Sequence, residues 1–163
     1  MATQKSLDDL FIDMLKDVYH AEKQAIRAYP KMIKAIETDE VKKAFEKHRE
    51  ETEQQVERLE KIFEIVGKSA RGKPCEAMQG LIEEAKEVME DFSDSPALDA
   101  GVIATAQAIE HYEIARYGTL RTWAKQLGMN DAVKLLEETL AEEKKTDDLL
   151  TKLAEQAANK KAA

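Results

Sequence analysis

The chain has 163 residues, 43% of them apolar and 36% charged, with only six glycines and three prolines; this suits one helix-rich domain and excludes wholesale disorder and a loop-rich sandwich or barrel. Twenty-five basic residues against 33 acidic ones leave a net charge of −8, which disfavours nucleic acid and anionic membrane surfaces as partners. A lone Cys75, acidic residues Asp8, Asp9, Asp13 and Asp17 in place of an apolar leader, and no run near the ~18 apolar residues of a membrane span predict a cytoplasmic protein without internal disulfides.

Ser6-Leu7-Asp8-Asp9 reads as an N-cap followed by an acidic first turn, which suits the exposed N–H groups and the helix dipole. From there to about Glu37, Phe11, Leu15, Val18, Ala25, Tyr29, Met32 and Ile36 recur along one stripe, with Pro30 predicting a kink. After a break at Thr38-Asp39, a second helix runs to Val66 through Val41, Phe45, Leu59 and Ile62. Gly67 to Lys73 reads as a loop, and Pro74 stands where a helix start tolerates it. A third, shorter helix carries Met78, Leu81, Ile82, Ala85, Met89 and Phe92, and Ser93-Asp94-Ser95-Pro96 ends it. The fourth helix spans about Ala97 to Leu127 and closes at Gly128, and the fifth spans about Asp131 to Ala157.

Hairpins at 6–66 and 97–157, each with a tight break, are thus joined by a connection at 67–96 that holds its own helix. That predicts an all-α, four-helix bundle with a long crossover, as a single domain. The halves share a faint repeat: Glu22 precedes Tyr29 by seven residues, as Glu110 precedes Tyr117.

The stripes are interrupted by acids near mid-helix. Glu22 falls on the inward side of the first helix, Glu110 and Glu113 on that of the fourth, and Glu143 and Asp147 on that of the fifth. The second helix is less clean, with His48, Glu51 or Thr52, and Gln55 on the stripe and Glu50 and Glu53 beside it. Equal rise per residue brings these groups to one layer. Ionised carboxylates are costly to bury unpaired and repel one another, and divalent cations relieve both penalties. The pattern approaches the di-iron bundle, but no Glu-x-x-His occurs: the corresponding strings are Glu50-x-x-Glu53 and Glu143-x-x-Thr146. An oxygen-rich set favours manganese, iron, magnesium or calcium over zinc or copper. The alternative is a core network paired with Arg27, Arg58 and Arg116, with Tyr29, Tyr117, His48 and the methionines as packing.

Five blocks, DLFIDMLKDVYHAEKQ, HREETEQQVERLE, AMQGLIEEAKEV, IEHYEIARYGTL and EEKKTDDLLTKLAE, resemble in order and spacing the bacterial YciE/YciF stress-protein family of ferritin-like bundles. The resemblance spans nearly the whole chain. It implies a rubrerythrin-like bundle, a homodimer and a di-metal centre of iron or manganese, and it brings no established activity. Residue by residue it assigns Glu22, Glu51 with His48 nearby, Glu110, Glu113, Glu143 and Asp147 to metal. Three functions follow as expectations: a metal-binding stress protein, a di-metal peroxide-detoxifying oxidoreductase, or a metal-free structural or interaction module.

Overall fold

The computed structural model describes residues 4–163. Its long helices are α1 (Leu7–Ala35), α2 (Asp39–Ile65), α4 (Leu98–Gln126) and α5 (Asn130–Leu153), with the shorter α3 (Glu76–Asp91) in the crossover. A π-helical turn, Ala154–Ala158, and a last turn, α6 (Asn159–Ala162), extend α5. Among the described residues no strand forms, and no helix is long and apolar enough to cross a membrane.

Each boundary has a local cause. Ser6 and Asp9 form a reciprocal capping box: the Ser6 amide donates to Asp9 Oδ2 at 2.8 Å and the Asp9 amide to Ser6 Oγ at 3.3 Å. Gly128 ends α4 with φ +73°, a left-handed conformation that costs glycine little. Pro30 lies inside α1 without ending it, on the exposed face where the carbonyl it frees can turn to water.

The two hairpins α1–α2 and α4–α5 pack as a four-helix bundle in which α1 neighbours α2 and α4, and α5 neighbours α2 and α4. The crossover lays α3 against α4 and α1. Gly101 permits this close approach: a Cβ there would come within 2.6 Å of Val88 Cγ1. At the hairpin turn, buried Asp99 of α4 accepts the amides of Glu37 and Thr38 on separate oxygens, both at 2.8 Å.

The interior divides along the bundle axis. One apolar cluster holds Tyr29, Met32, Ile36, Phe45, Val102 and Leu150, a second holds Leu15, Val18, Leu59, Ile62, Leu120 and Leu136, and a smaller third, Ala21, Cys75, Met78 and Ile109, lies under the crossover. Between the first two lies a layer of buried polar side chains.

Candidate metal centre

The helical stripes carry the layer's residues inward because each replaces one apolar position on an otherwise buried face. Glu22 from α1, His48 from α2, Glu110 and Glu113 from α4, and Glu143 from α5 are all at most 4% exposed. His48, Glu110, Glu113 and Glu143 each offer one ligand atom within 4.8 Å of those of the other three. His48 Nε2 lies 2.8 Å from Glu110 Oε1 without the alignment of a hydrogen bond, and its Nδ1 pairs with Thr146 Oγ1 at 3.1 Å.

Glu22 stands beside this group. Its Oε1 accepts the hydroxyl of Tyr117 from α4. Tyr29 packs edge-on to His48, with ring centroids 5.5 Å apart, and lines the same small cavity as Glu110. The Glu–Tyr repeat is therefore read crosswise, each tyrosine lying by the glutamate of the other hairpin.

The layer has more oxygens than donors. Glu22 Oε2, Glu110 Oε2 and both oxygens of Glu113 and of Glu143 are buried with no hydrogen-bond partner. Burial, then the charge of Glu143, raises the pKa of Glu22 from 4.5 to about 8. Burial also raises Glu113 and Glu143 well above the carboxylate range, reinforced by Glu22 and Glu110 respectively. For His48 burial works against the charged form, but Glu110 and then Glu51 outweigh it and push the imidazole well above its usual range.

Of the six expected positions, Glu22 lies beside the cluster within the buried layer, and two lie outside the layer. Glu51 is half-buried at the rim, 3.6 Å from His48 Nδ1 and 3.7 Å from Lys47 Nζ, and the neighbouring imidazole, foremost, lowers its pKa. Asp147 faces His111, whose Nε2 is 3.0 Å from Oδ2, and Gln107. Glu50 and Glu53 are exposed. Helix α2 instead delivers His48, Thr52 and Gln55 to the interior. The phase of Phe45 and Leu59 on the stripe carries the signal for them, whereas a search for acids alone passes over them. Arg58, one of the expected core partners, does not reach the cluster; it clasps Glu142 at 2.7 and 2.8 Å and Glu138 at 2.7 Å. A cavity of about 10 Å³, room for at most about one water, is lined by His48, Glu110 and Thr146 together with Tyr29 and Phe45.

Residues 6–163 match the model of a family described as a domain of unknown function, DUF892. The chain is 49% identical over 159 residues to protein YciF of Escherichia coli strain K12, covering 97% of this chain and 96% of that one. The crystal structure of the E. coli stress protein YciF superposes with a TM-score of 0.91 at 48% identity, over 96% of this chain and 99% of that one. YcfI from Rhodopseudomonas palustris, described as a candidate structural protein, gives 0.88 at 41% identity, over 93% and 98%. A Xanthomonas campestris protein at 24% identity and a TM-score of 0.72, over 92% and 91%, shares the fold.

Proposed function

The chain belongs to the DUF892 family, and from that premise we propose that it is a ferritin-like, stress-associated protein that binds one or two divalent ions, iron or manganese, in the buried carboxylate layer. The stress association rests on its likeness to E. coli YciF, which is described as a stress protein. The observation that carries the metal reading is the set of buried, partnerless oxygens on Glu22, Glu110, Glu113 and Glu143. A buried polar atom without a partner costs on the order of 1–3 kcal/mol, and more if charged. Among the described residues no arginine pairs with these carboxylates: Arg58 is taken up by Glu138 and Glu142, Arg116 lies over the Tyr112 ring and Arg27 is exposed. Four carboxylates carry four negative charges, which two divalent ions balance with His48 neutral. These residues fit such ions chemically, as hard oxygen ligands with one imidazole. Glu51 and Asp147, at the rim, come second to His48 and Glu22 as ligands. The resemblance extends the reading to a homodimer, which light scattering of the purified protein checks.

Elemental analysis of untagged protein purified without chelator tests the reading. The expected result is one to two equivalents of iron or manganese, lost in Glu110→Ala and Glu113→Ala while the helical signal persists. A folded wild-type protein without metal would leave a metal-free structural role, the reading favoured by the description of the R. palustris neighbour. Peroxide consumption by iron- or manganese-loaded protein distinguishes an oxidoreductase from a binding protein. The single imidazole of the set favours binding, because imidazole ligands and their partners tune redox behaviour.

A further inference from the structure

Gln55 belongs to the same layer, although it is neither acidic nor a histidine. It is fully buried on α2, and its Oε1 has no hydrogen-bond partner, like the carboxylate oxygens around it. Its amide orientation follows from what it touches. Nε2 donates to Glu142 Oε2 at 3.0 Å. Both oxygens of Glu142 are held by Arg58, through Nη1 at 2.8 Å and Nη2 at 2.7 Å. An ionised carboxylate only accepts, so the NH₂ must face Glu142 and the carbonyl must turn away from it. A buried amide could have been replaced by leucine at no loss of packing. Here one half is anchored by a salt-bridged carboxylate and the other half is left open.

The register locates that open half. His48 meets Thr146, Gln55 meets Glu142, and Arg58 meets Thr139, so α2 and α5 are antiparallel and Glu143 sits at a level between His48 and Gln55. Tyr29 lies against His48 and Tyr19 reaches Glu60, so Glu22 of α1 lies level with the region of Gln55. His48 and Gln55, seven residues apart, therefore stand about 10 Å apart along one face of α2, at the two ends of the layer. Counted from their first residues, Asp39 and Asn130, α2 places Thr52 and Gln55 where α5 places Glu143 and Thr146. Both hairpins thus set a neutral oxygen side chain at the second position of the x-x spaced pair.

We propose that Gln55 Oε1 is a neutral ligand to the ion held at the Glu22 end of the layer, with the Arg58–Glu142 pair as the device that aims it. This rests on the metal reading above. It makes the two ends chemically distinct: His48 with Glu110 at one, an amide carbonyl with Glu22 at the other. The pair serves as a positioning element, since neither Arg58 nor Glu142 is counted among the ligands.

Manganese(II) titration of chelator-treated protein, followed by electron paramagnetic resonance, tests it on wild type, Gln55→Leu, Glu142→Gln and the Gln55→Glu, Glu142→Gln double variant. Circular dichroism and light scattering check each fold. Gln55→Leu is expected to weaken binding of one ion at least tenfold and to remove the manganese–manganese coupling signal. Gln55→Glu made together with Glu142→Gln, which sets a donor rather than a second carboxylate against it, supplies a charged oxygen at the same place and is expected to tighten it. In Glu142→Gln the new amide can donate or accept, the orientation of Gln55 is no longer imposed, and an intermediate loss is expected. A wild-type chain that binds neither manganese(II) nor, in a parallel anaerobic titration, iron(II) overturns the metal reading and this inference with it. Metal binding in wild type that Gln55→Leu leaves within twofold overturns the Gln55 assignment alone. Should Gln55→Leu fail to fold, unchanged affinity in the Gln55→Glu, Glu142→Gln double variant overturns it equally.

Discussion

Tyr117 illustrates how a single hydroxyl conditions the layer. It is fully buried and donates to Glu22, whose other oxygen has no partner. Tyr117→Phe removes that donor while keeping the ring, so metal-free protein should lose about 1–3 kcal/mol in urea unfolding. The carboxyls make the same point through pH. Glu22 ionises near 4.5 in an unfolded chain but at about 8 in the fold, so the folded state favours its neutral form. Its contribution is complete below about 4.5 and disappears as pH rises through about 8; Glu113, Glu143 and His48, all raised, act in the same sense. The melting temperature of metal-free protein should fall between pH 5 and pH 9, and a flat or rising profile would contradict this ionisation pattern. At this scale the sequence was partly legible. Glu22, Glu110, Glu113 and Glu143 stand out because acids on an apolar stripe violate its pattern. His48 and Gln55 do not, because a neutral polar side chain on a stripe is tolerated wherever its hydrogen bonds are met, and only the facing helices reveal that Nε2 and Oε1 lack a partner.

Among the elements, the helix boundaries were readable to within a few residues, since Ser6, Gly67, Pro74, Pro96 and Gly128 punctuate the chain through local backbone chemistry. The π-helical turn Ala154–Ala158 was not, because it carries no glycine or proline and its Ala154 and Ala158 continue the buried face. Nor was the brace between hairpins. Asp99 reads as an ordinary acid in a first helical turn, yet it is buried and takes the Glu37 and Thr38 amides. Burial alone would raise its pKa, but these hydrogen bonds outweigh that and lower it. Its stabilising effect is therefore present at neutral pH and lost on acidification. Asp99→Ala should cost about 2 kcal/mol and speed hydrogen exchange at Glu37 and Thr38, leaving amides of the α4–α5 hairpin less affected.

For the whole molecule, two apolar clusters at either end of the bundle hold the fold while the layer between them opposes it. Ions that bind only the folded state stabilise it by mass action. Loaded protein should therefore melt above chelator-treated protein, by a margin that widens toward alkaline pH, where the empty carboxylates are most costly. Calorimetry of both forms at pH 6 and pH 9 checks this; equal melting temperatures at both would argue that nothing binds there. The overall architecture was the most legible feature of the chain, because stripe phase and loop length suffice to specify a crossed pair of hairpins. The placing of α3 against α1 and α4 depends on long-range packing such as Gly101 on Val88, which no local pattern encodes.

Sealing the polar layer between greasy ends has a kinetic corollary. Ligand oxygens with no solvent contact are reachable only when neighbouring helices momentarily part, an opening whose frequency belongs to the protein and not to the solute. In stopped-flow mixing, the observed rate of metal capture should level off as the cation is made more abundant, and its plateau should match the slow exchange of amides at mid-helix. Once captured, ions should dissociate with the same reluctance, so the molecule would behave as a slow reservoir.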